Sequence, residues 1–336
     1  MAEMDYRRLG STGTKVSSLC FGTWRFGMKS GGVVETGRDD AHELLDAFAD
    51  AGGNFIDTAN VYGDPNGTAE EYIGDWLAGR DRADYVLASK VYFGFDPDNP
   101  NGSGLSRTHI RRQIEGTLDR LGTDHLDVYY IHRFDEETPV EETLRTLDGL
   151  VEDGRVSYLG ASSMAAWQLT RMLWESDVED LERFEVTQPM FHAAYRETED
   201  YLDVCADQDL AVCPYSPLAG GFLTGKYERG DDGQAVGPEG SRADLVEYFQ
   251  DAYVNERSWD VLDAIRETAE ELDATPAQVA LRWLIERPDY TCVPIVGART
   301  VEQLEDNLGA VEIELSDDQR ERITEAREES EEGEDE

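Results

Sequence analysis

Four residues in the first 132 positions carry the types and spacing for proton chemistry: Asp57, Tyr62, Lys90 and His132. A phenol with an ordinary pKa near 10 is a poor proton donor at neutral pH unless a cation stabilises its conjugate base. Lys90 ends the apolar run Tyr85-Val-Leu-Ala-Ser-Lys90 and would lose its own proton there unless an acid such as Asp57 held it charged. His132 closes a further apolar run, Leu126 to His132, and could hydrogen-bond and orient a substrate oxygen. Together the four describe a proton relay to a carbonyl oxygen.

Such a relay needs elements that bring distant positions together. Asn54 to Ile56 reads as a short buried strand ending at Asp57. Tyr62 follows in a loop with the turn residues Gly63, Pro65 and Gly67. Thr68 to Glu71 reads as a capping box opening a helix through Tyr72, Ile73, Trp76 and Leu77. Eight apolar strand-like runs alternate with amphipathic helices along the chain, the pattern of parallel βα units. No Gly-x-Gly-x-x-Gly follows any strand, so a closed barrel is favoured over a doubly wound sheet. The expected fold is α/β: a (β/α)8 TIM barrel with an N-terminal β-hairpin and extra C-terminal helices. One domain is expected over 1–325, followed by an acidic, disordered tail over 326–336. In a barrel, Gly22, Asp57, Lys90, His132, Ser162, Gln188, Ser216 and Gly297 all fall on the rim where strands end, the rim that holds barrel active sites.

Composition excludes several partners. The 336 residues include 73 acids and 30 bases, for a net charge of −43, spread through the whole chain. This surface repels nucleic acid. Its self-repulsion is relieved only when salt shortens the Debye length, to about 3 Å at 1 M. The surface therefore reads as adapted to high intracellular salt, that is, to a halophile. Met1 to Leu9 is polar and charged, so no signal peptide is expected, and no apolar run approaches the roughly 20 residues needed to span a bilayer. Cys20, Cys205, Cys213 and Cys292 show no Cys-x-x-Cys spacing and read as buried free thiols of a reducing, cytoplasmic compartment, with no metal site. Only four lysines occur, at 15, 29, 90 and 226, which makes a lysine inside an apolar strand conspicuous.

The chain resembles the aldo-keto reductases over nearly its whole length, closest in pattern to the potassium-channel β-subunit branch. The resemblance is carried by Gly-Gly-Asn-Phe-Ile-Asp-Thr-Ala-x-x-Tyr-Gly, Ala-Ser-Lys90, Asp-Val-Tyr-Tyr-Ile-His132, Tyr-Ser-Pro-Leu-Ala-Gly-Gly and Gly-Lys-Tyr, in that order. It implies a catalytic tetrad of Asp57, Tyr62, Lys90 and His132 with Tyr62 as general acid, and a nicotinamide cofactor across the barrel mouth. By the same resemblance, Ser162 and Gln188 hold the carboxamide, with Ser163 where the family often has Asn. Tyr215 stacks on the nicotinamide, and the loop Ser216, Pro217, Leu218, Gly220 and Gly221 meets the pyrophosphate. Lys226, Arg242 and Arg299 neutralise phosphates, while Gln303, Asp306 and Asn307 meet the adenosine. Gly22, Thr23, Trp24, Asp57 and Gly297 complete the cofactor set. NADP(H) is expected over NAD(H), because Arg299 and Lys226 can bind a 2′-phosphate.

For the substrate, Trp24, Tyr92, Phe93, Arg133 and Phe134 follow strand ends and could line an aromatic pocket for an aldehyde or ketone. Arg133 could instead receive a carboxylate or phosphate. The leading expectation is an NADP(H)-dependent carbonyl reductase. The alternatives are a cofactor-binding interaction protein of the channel-subunit type, and a barrel isomerase or lyase using Lys90 as a Schiff-base nucleophile. Sequence leaves the oligomeric state open.

Overall fold

The computed structural model describes residues 4–327 except 31–32, 97, 196, 232, 239–240 and 247. All but the first two residues of the expected acidic tail thus lie outside the described residues. Eight parallel strands form one sheet: β1 (Cys20–Gly22), β2 (Phe55–Asp57), β3 (Val86–Val91), β4 (Leu126–Ile131), β5 (Val156–Ser162), β6 (Phe184–Gln188), β7 (Ala211–Val212) and β8 (Ile295–Val296). Pairing runs in chain order from β1 to β7, and β8 returns beside β1 with Ile295 opposite Cys20. A parallel bridge between Val212 and Cys292 closes the ring, supported by Val293 N–H to the Val212 carbonyl at 2.8 Å and Ile295 N–H to the Pro214 carbonyl at 3.0 Å. The fold is a (β/α)8 barrel. Around it lie α1 (Arg38–Asp50), α2 (Thr68–Leu77), α3 (Arg107–Leu121), α4 (Val140–Glu152), α5 (Ala166–Glu179) and α6 (Glu199–Asp207). After β7 come a 3-10 segment (Ala219–Thr224), a small hairpin and two short helical stretches (Arg242–Leu245 and Phe249–Tyr253). Then follow α7 (Glu256–Leu272), α8 (Pro276–Ile285), α9 (Val301–Leu308) and α10 (Asp317–Glu325).

Two buried clusters follow from the two-residue period of a strand. Phe55, Val86, Ala88, Val128, Tyr130, Val186 and Ile295 fill the lumen, joined from below by Leu9 and Val16 of the N-terminal hairpin (Tyr6–Arg8 with Lys15–Ser17). Ile56, Leu87, Tyr129, Ile131, Leu159 and Ala161 point the other way, into the larger cluster under the helices. Counting by twos from the lumen set reaches Asp57, Lys90, His132 and Gln188. Strand parity alone therefore turns these polar side chains inward at the end of the barrel where every strand stops.

Several element ends differ from the sequence reading. The second strand ends at Asp57 as expected but begins at Phe55, one residue later than read. Pro139 is the N-cap of α4, one place outside the helix rather than its first residue. The capping box at Thr68 does not form. Gly67, in the left-handed region at φ 92°, precedes α2 without any side-chain cap, and the Thr68 hydroxyl donates to the Pro65 carbonyl at 2.6 Å. Glu70 turns inward instead, accepting from Ser89 at 2.6 Å and from Arg120 at 2.7 Å. This buried pair clamps α2 against β3 and α3, so tertiary contacts displace the local cap. Ser106 does cap α3, and Thr275 with Gln278 closes a capping box on α8, with Pro276 at its first position. A second short hairpin, Lys29–Ser30 with Val33–Val34, has no signal in the sequence reading.

Candidate active site

The four residues singled out first converge at the carboxyl end of the barrel. The wholly buried Lys90 donates to Asp57 Oδ1 at 2.6 Å, to the Thr58 carbonyl at 2.8 Å and to the Tyr62 hydroxyl at 3.1 Å. All three ammonium protons are thus engaged. Gln188 donates from Nε2 to the other Asp57 oxygen at 2.9 Å, completing that carboxylate from across the barrel. The Tyr62 ring stands edge-on to His132 with centroids 6.1 Å apart, and Phe93 also packs edge-on to His132, at 5.2 Å.

Burial and charge compete at each group. Burial alone would lower the Lys90 pKa, but Asp57 and Tyr62 outweigh it and leave it raised, so the amine is an ammonium. Burial pushes the Asp57 carboxyl up, while Lys90 and Gln188 pull back. At Tyr62, burial raises the phenol above its usual value and outweighs the opposing pull of Lys90. The sequence reading expected the ammonium to dominate there; the low-dielectric setting reverses the sign. His132 is lowered to about 3, by burial first and then by Lys90, so its ring is neutral at physiological pH.

These groups open into a cavity of about 1010 Å³. Gly22, Trp24, Asp57, Tyr62, Phe93, His132, Arg133, Ser162, Ser163, Gln188, Tyr215, Ser216, Pro217 and Leu218 line its barrel side. Gly220, Gly221, Lys226, Arg242, Gly297, Arg299, Gln303, Asp306 and Asn307 line the remainder. Thr23 lies beneath it, donating from Oγ1 to the Asp57 carbonyl at 3.0 Å. Tyr92 and Phe134 are not on its wall: Tyr92 packs edge-on to Phe93 at 5.1 Å, and Phe134 packs on Trp167 at 5.9 Å. Arg25, Met28, Val61, Tyr248 and Tyr253 line the cavity without having been expected. Arg25 sits beside Trp24 after a strand end and was findable by that position. Tyr253 arrives from far along the β7–α7 excursion, which local sequence does not register.

The cavity's outer end is cationic. The Lys226 pKa is lowered, by burial first and then by Arg242, Arg25 and Arg299 in turn. Arg25 is lowered by burial and by Arg242, with Glu35, to which it is ion-paired, opposing. Cations that repel one another in a chain this acidic favour an incoming polyanion, which relieves the repulsion. Gly220 and Gly221 hold φ of 65° and 99° beside this cluster. A Cβ on Gly220 would meet the Tyr253 ring at 2.8 Å, and one on Gly221 would stand 3.2 Å from Lys226 Nζ. Bare backbone there leaves room for a phosphate group to approach. Ser162 Oγ donates to the Gln188 carbonyl at 2.9 Å and lies 3.2 Å from Ser163 Oγ, and Tyr253 donates to Ser216 at 3.4 Å. Among the described residues no group of three or more His, Cys, Asp or Glu side chains forms a metal site, and no helix is long and apolar enough to cross a membrane.

Residues 18–328 match the sequence pattern of the Aldo/keto reductase family. The chain belongs to that family. It is 38% identical over 320 residues, 93% of this chain and 92% of the other, to an uncharacterized oxidoreductase of Bacillus subtilis, YrpG. A probable voltage-gated potassium channel subunit beta of Arabidopsis thaliana is 36% identical, with 92% of each chain covered. Norsolorinic acid reductase A of Aspergillus parasiticus is 30% identical, over 96% of this chain and 81% of that one. The protein is thus an oxidoreductase-type member of the aldo/keto reductases.

Proposed function

We propose that this aldo/keto reductase reduces aldehydes or ketones to alcohols with NADP(H), Tyr62 giving the proton to the carbonyl oxygen. The observation that carries the reading is the contact chain Gln188–Asp57–Lys90–Tyr62, which ends in a phenol on the wall of the cavity. A nicotinamide held across this cavity would supply hydride chemistry at the carbonyl carbon. Tyr62, neutral in the free protein, donates its proton as negative charge develops on the substrate oxygen. Lys90, already positive and 3.1 Å away, stabilises the phenolate left behind. Asp57 keeps Lys90 charged, and the neutral His132 ring offers an N–H to the same oxygen. Gly220, Gly221, Lys226, Arg242 and Arg299 would hold the cofactor phosphates. Ser162, Ser163 and Gln188 would hold the carboxamide, Tyr215 would stack on the nicotinamide, and Gln303 and Asn307 would meet the adenosine. The cation cluster supports NADP(H) over NAD(H), since a 2′-phosphate brings further charge to it.

A protonated Lys90 does not act as a Schiff-base nucleophile, which argues against an isomerase or lyase. A second reading, a cofactor-bearing interaction subunit with little turnover, is favoured by the likeness to the Arabidopsis protein. The high negative charge supports a third element, function in concentrated salt within a cytoplasm. The test is loss of NADPH absorbance with a panel of aldehydes in concentrated KCl, together with equilibrium binding of NADPH and NADH. Turnover with preferential NADPH binding is expected. Tight NADPH binding without turnover of any aldehyde would favour the interaction subunit, and Arg299→Ala with unaltered NADPH affinity would remove the 2′-phosphate assignment.

A further inference from the structure

We propose that Arg133 is an anion subsite for the substrate, so that the carbonyl compound reduced here carries a carboxylate or phosphate. The inference rests on the reduction proposed above and names its substrate class. Arg133 directly follows His132 and lines the same cavity. Its guanidinium lies 5.4 Å from the Tyr92 ring centroid. Tyr92 is edge-on to Phe93, and Phe93 is edge-on to His132. One run of aromatic contacts therefore fixes the guanidinium relative to the imidazole. The guanidinium meets the Tyr92 ring and makes no side-chain hydrogen bond to another described residue, which leaves its N–H groups for an oxyanion.

Some arginines on the outer surface of this chain are met by carboxylates: Arg38 by Asp75, Arg145 by Glu141 and Glu179, Arg229 by Glu256. Among the described residues Arg133 pairs with none, although acids outnumber bases 73 to 30. The nearest acid in sequence, Asp135, is turned away. Its oxygens accept from Leu105 N–H at 2.7 Å, the Thr138 hydroxyl at 2.7 Å and Glu137 N–H at 3.0 Å. Unlike those arginines, the unpaired Arg133 lines the cavity that holds His132.

The cofactor's phosphates do not account for it. Arg133 follows β4, which in the ring order stands opposite β8, four strands away in either direction. The cations Arg25, Lys226, Arg242 and Arg299 follow β1, β7 and β8. The cavity thus has cationic groups at two opposed sides of its mouth, with Tyr62 and His132 also on its wall. A dinucleotide occupying the first side leaves the second for the substrate's own charge.

The experiment compares kcat/KM, with NADPH, for matched charged and neutral aldehydes: para-carboxybenzaldehyde against its neutral para-carbamoyl analogue, and glyceraldehyde phosphate against glyceraldehyde. Wild type is expected to favour the charged member of at least one pair, and which pair does so separates carboxylate from phosphate. Arg133→Gln is expected to lower that charged-to-neutral ratio by about tenfold or more, mainly through KM, as loss of a charge-assisted contact implies. Arg133→Lys should recover part of it. A ratio near one for both wild-type pairs, or one that Arg133→Gln leaves unchanged, overturns the inference. If no aldehyde is turned over, the reduction itself fails, and calorimetry on NADP-saturated protein decides separately. Binding of para-carboxybenzyl alcohol or glycerol phosphate that Arg133→Gln abolishes supports the subsite, and Arg133-independent binding or none rejects it.

Discussion

The Lys90 ammonium lies 3.1 Å from the Tyr62 hydroxyl, yet the phenol's pKa is above its ordinary value rather than below it. Burial sets that sign, and Lys90 limits its size. The pair therefore keeps the proton on Tyr62 at neutral pH and stabilises its loss only when a substrate oxygen takes it. Reduction kcat/KM is expected to show no break from Tyr62 ionisation below about pH 10. A pH profile with a basic break near 7 to 8 that disappears in Tyr62→Phe would contradict this assignment.

The Asp57–Lys90 pair is wholly buried, and either half alone is worse than neither. Lys90→Met strands a carboxylate and Asp57→Asn strands an ammonium, each expected to lower stability by about 3–5 kcal/mol. The double variant removes both charges and should recover much of that loss while remaining inactive. Chemical unfolding of the two singles and the double checks it, and strictly additive losses would count against the pairing. Because the Lys90 pKa is raised on folding, its contribution is fully present below 10.5 and is lost only as pH rises through the higher folded value.

His192 is buried between Tyr195 and Tyr253 with neither ring nitrogen partnered, and burial first, then Arg327, lowers its pKa to about 3. A depressed pKa means stability that is whole above 6.5 and falls as pH drops toward 3, since only the unfolded chain takes the proton. The slope is about 1.4 kcal/mol per pH unit within that window. His192→Phe should flatten the dependence of unfolding free energy on pH between 6.5 and 4, whatever it does to absolute stability. An unchanged slope would show that His192 does not report acid lability.

The charge of −43 predicts a salt-dependent fold. Raising KCl from about 0.1 M to about 1 M shortens the Debye length from about 10 Å to about 3 Å and should raise Tm markedly. Thermal melts across that range test it. A flat or falling Tm would remove the argument for high-salt adaptation.

Much of this arrangement is legible in the chain because strand parity is a local property. Phe55 and Asp57, Ala88 and Lys90, or Tyr130 and His132 share a face by spacing alone, and apolar neighbours say that the face is interior. Gly220, Gly221 and Arg299 are readable through their motif and position. What escaped is set by long-range contact. Thr68 reads locally as a cap, but Glu70 is claimed by Ser89 and Arg120 from other elements. Tyr92 and Phe134 follow strand ends like their neighbours, yet pack on Phe93 and Trp167 instead of facing the cavity. The Tyr62 pKa depends on how deeply the loop is covered, which no single residue encodes.

The central claim is that Tyr62 is the proton donor, and Tyr62→Phe measures it most directly, since only a hydroxyl is removed from the Lys90 contact. NADPH affinity from fluorescence titration and the rate of NADPH oxidation with aldehyde are read on the same preparation. The account predicts NADPH binding within about threefold of wild type and a kcat lower by about 10²–10⁴-fold, the usual contribution of a general acid. A Tyr62→Phe protein that binds NADPH and turns over aldehyde at the wild-type rate would contradict it.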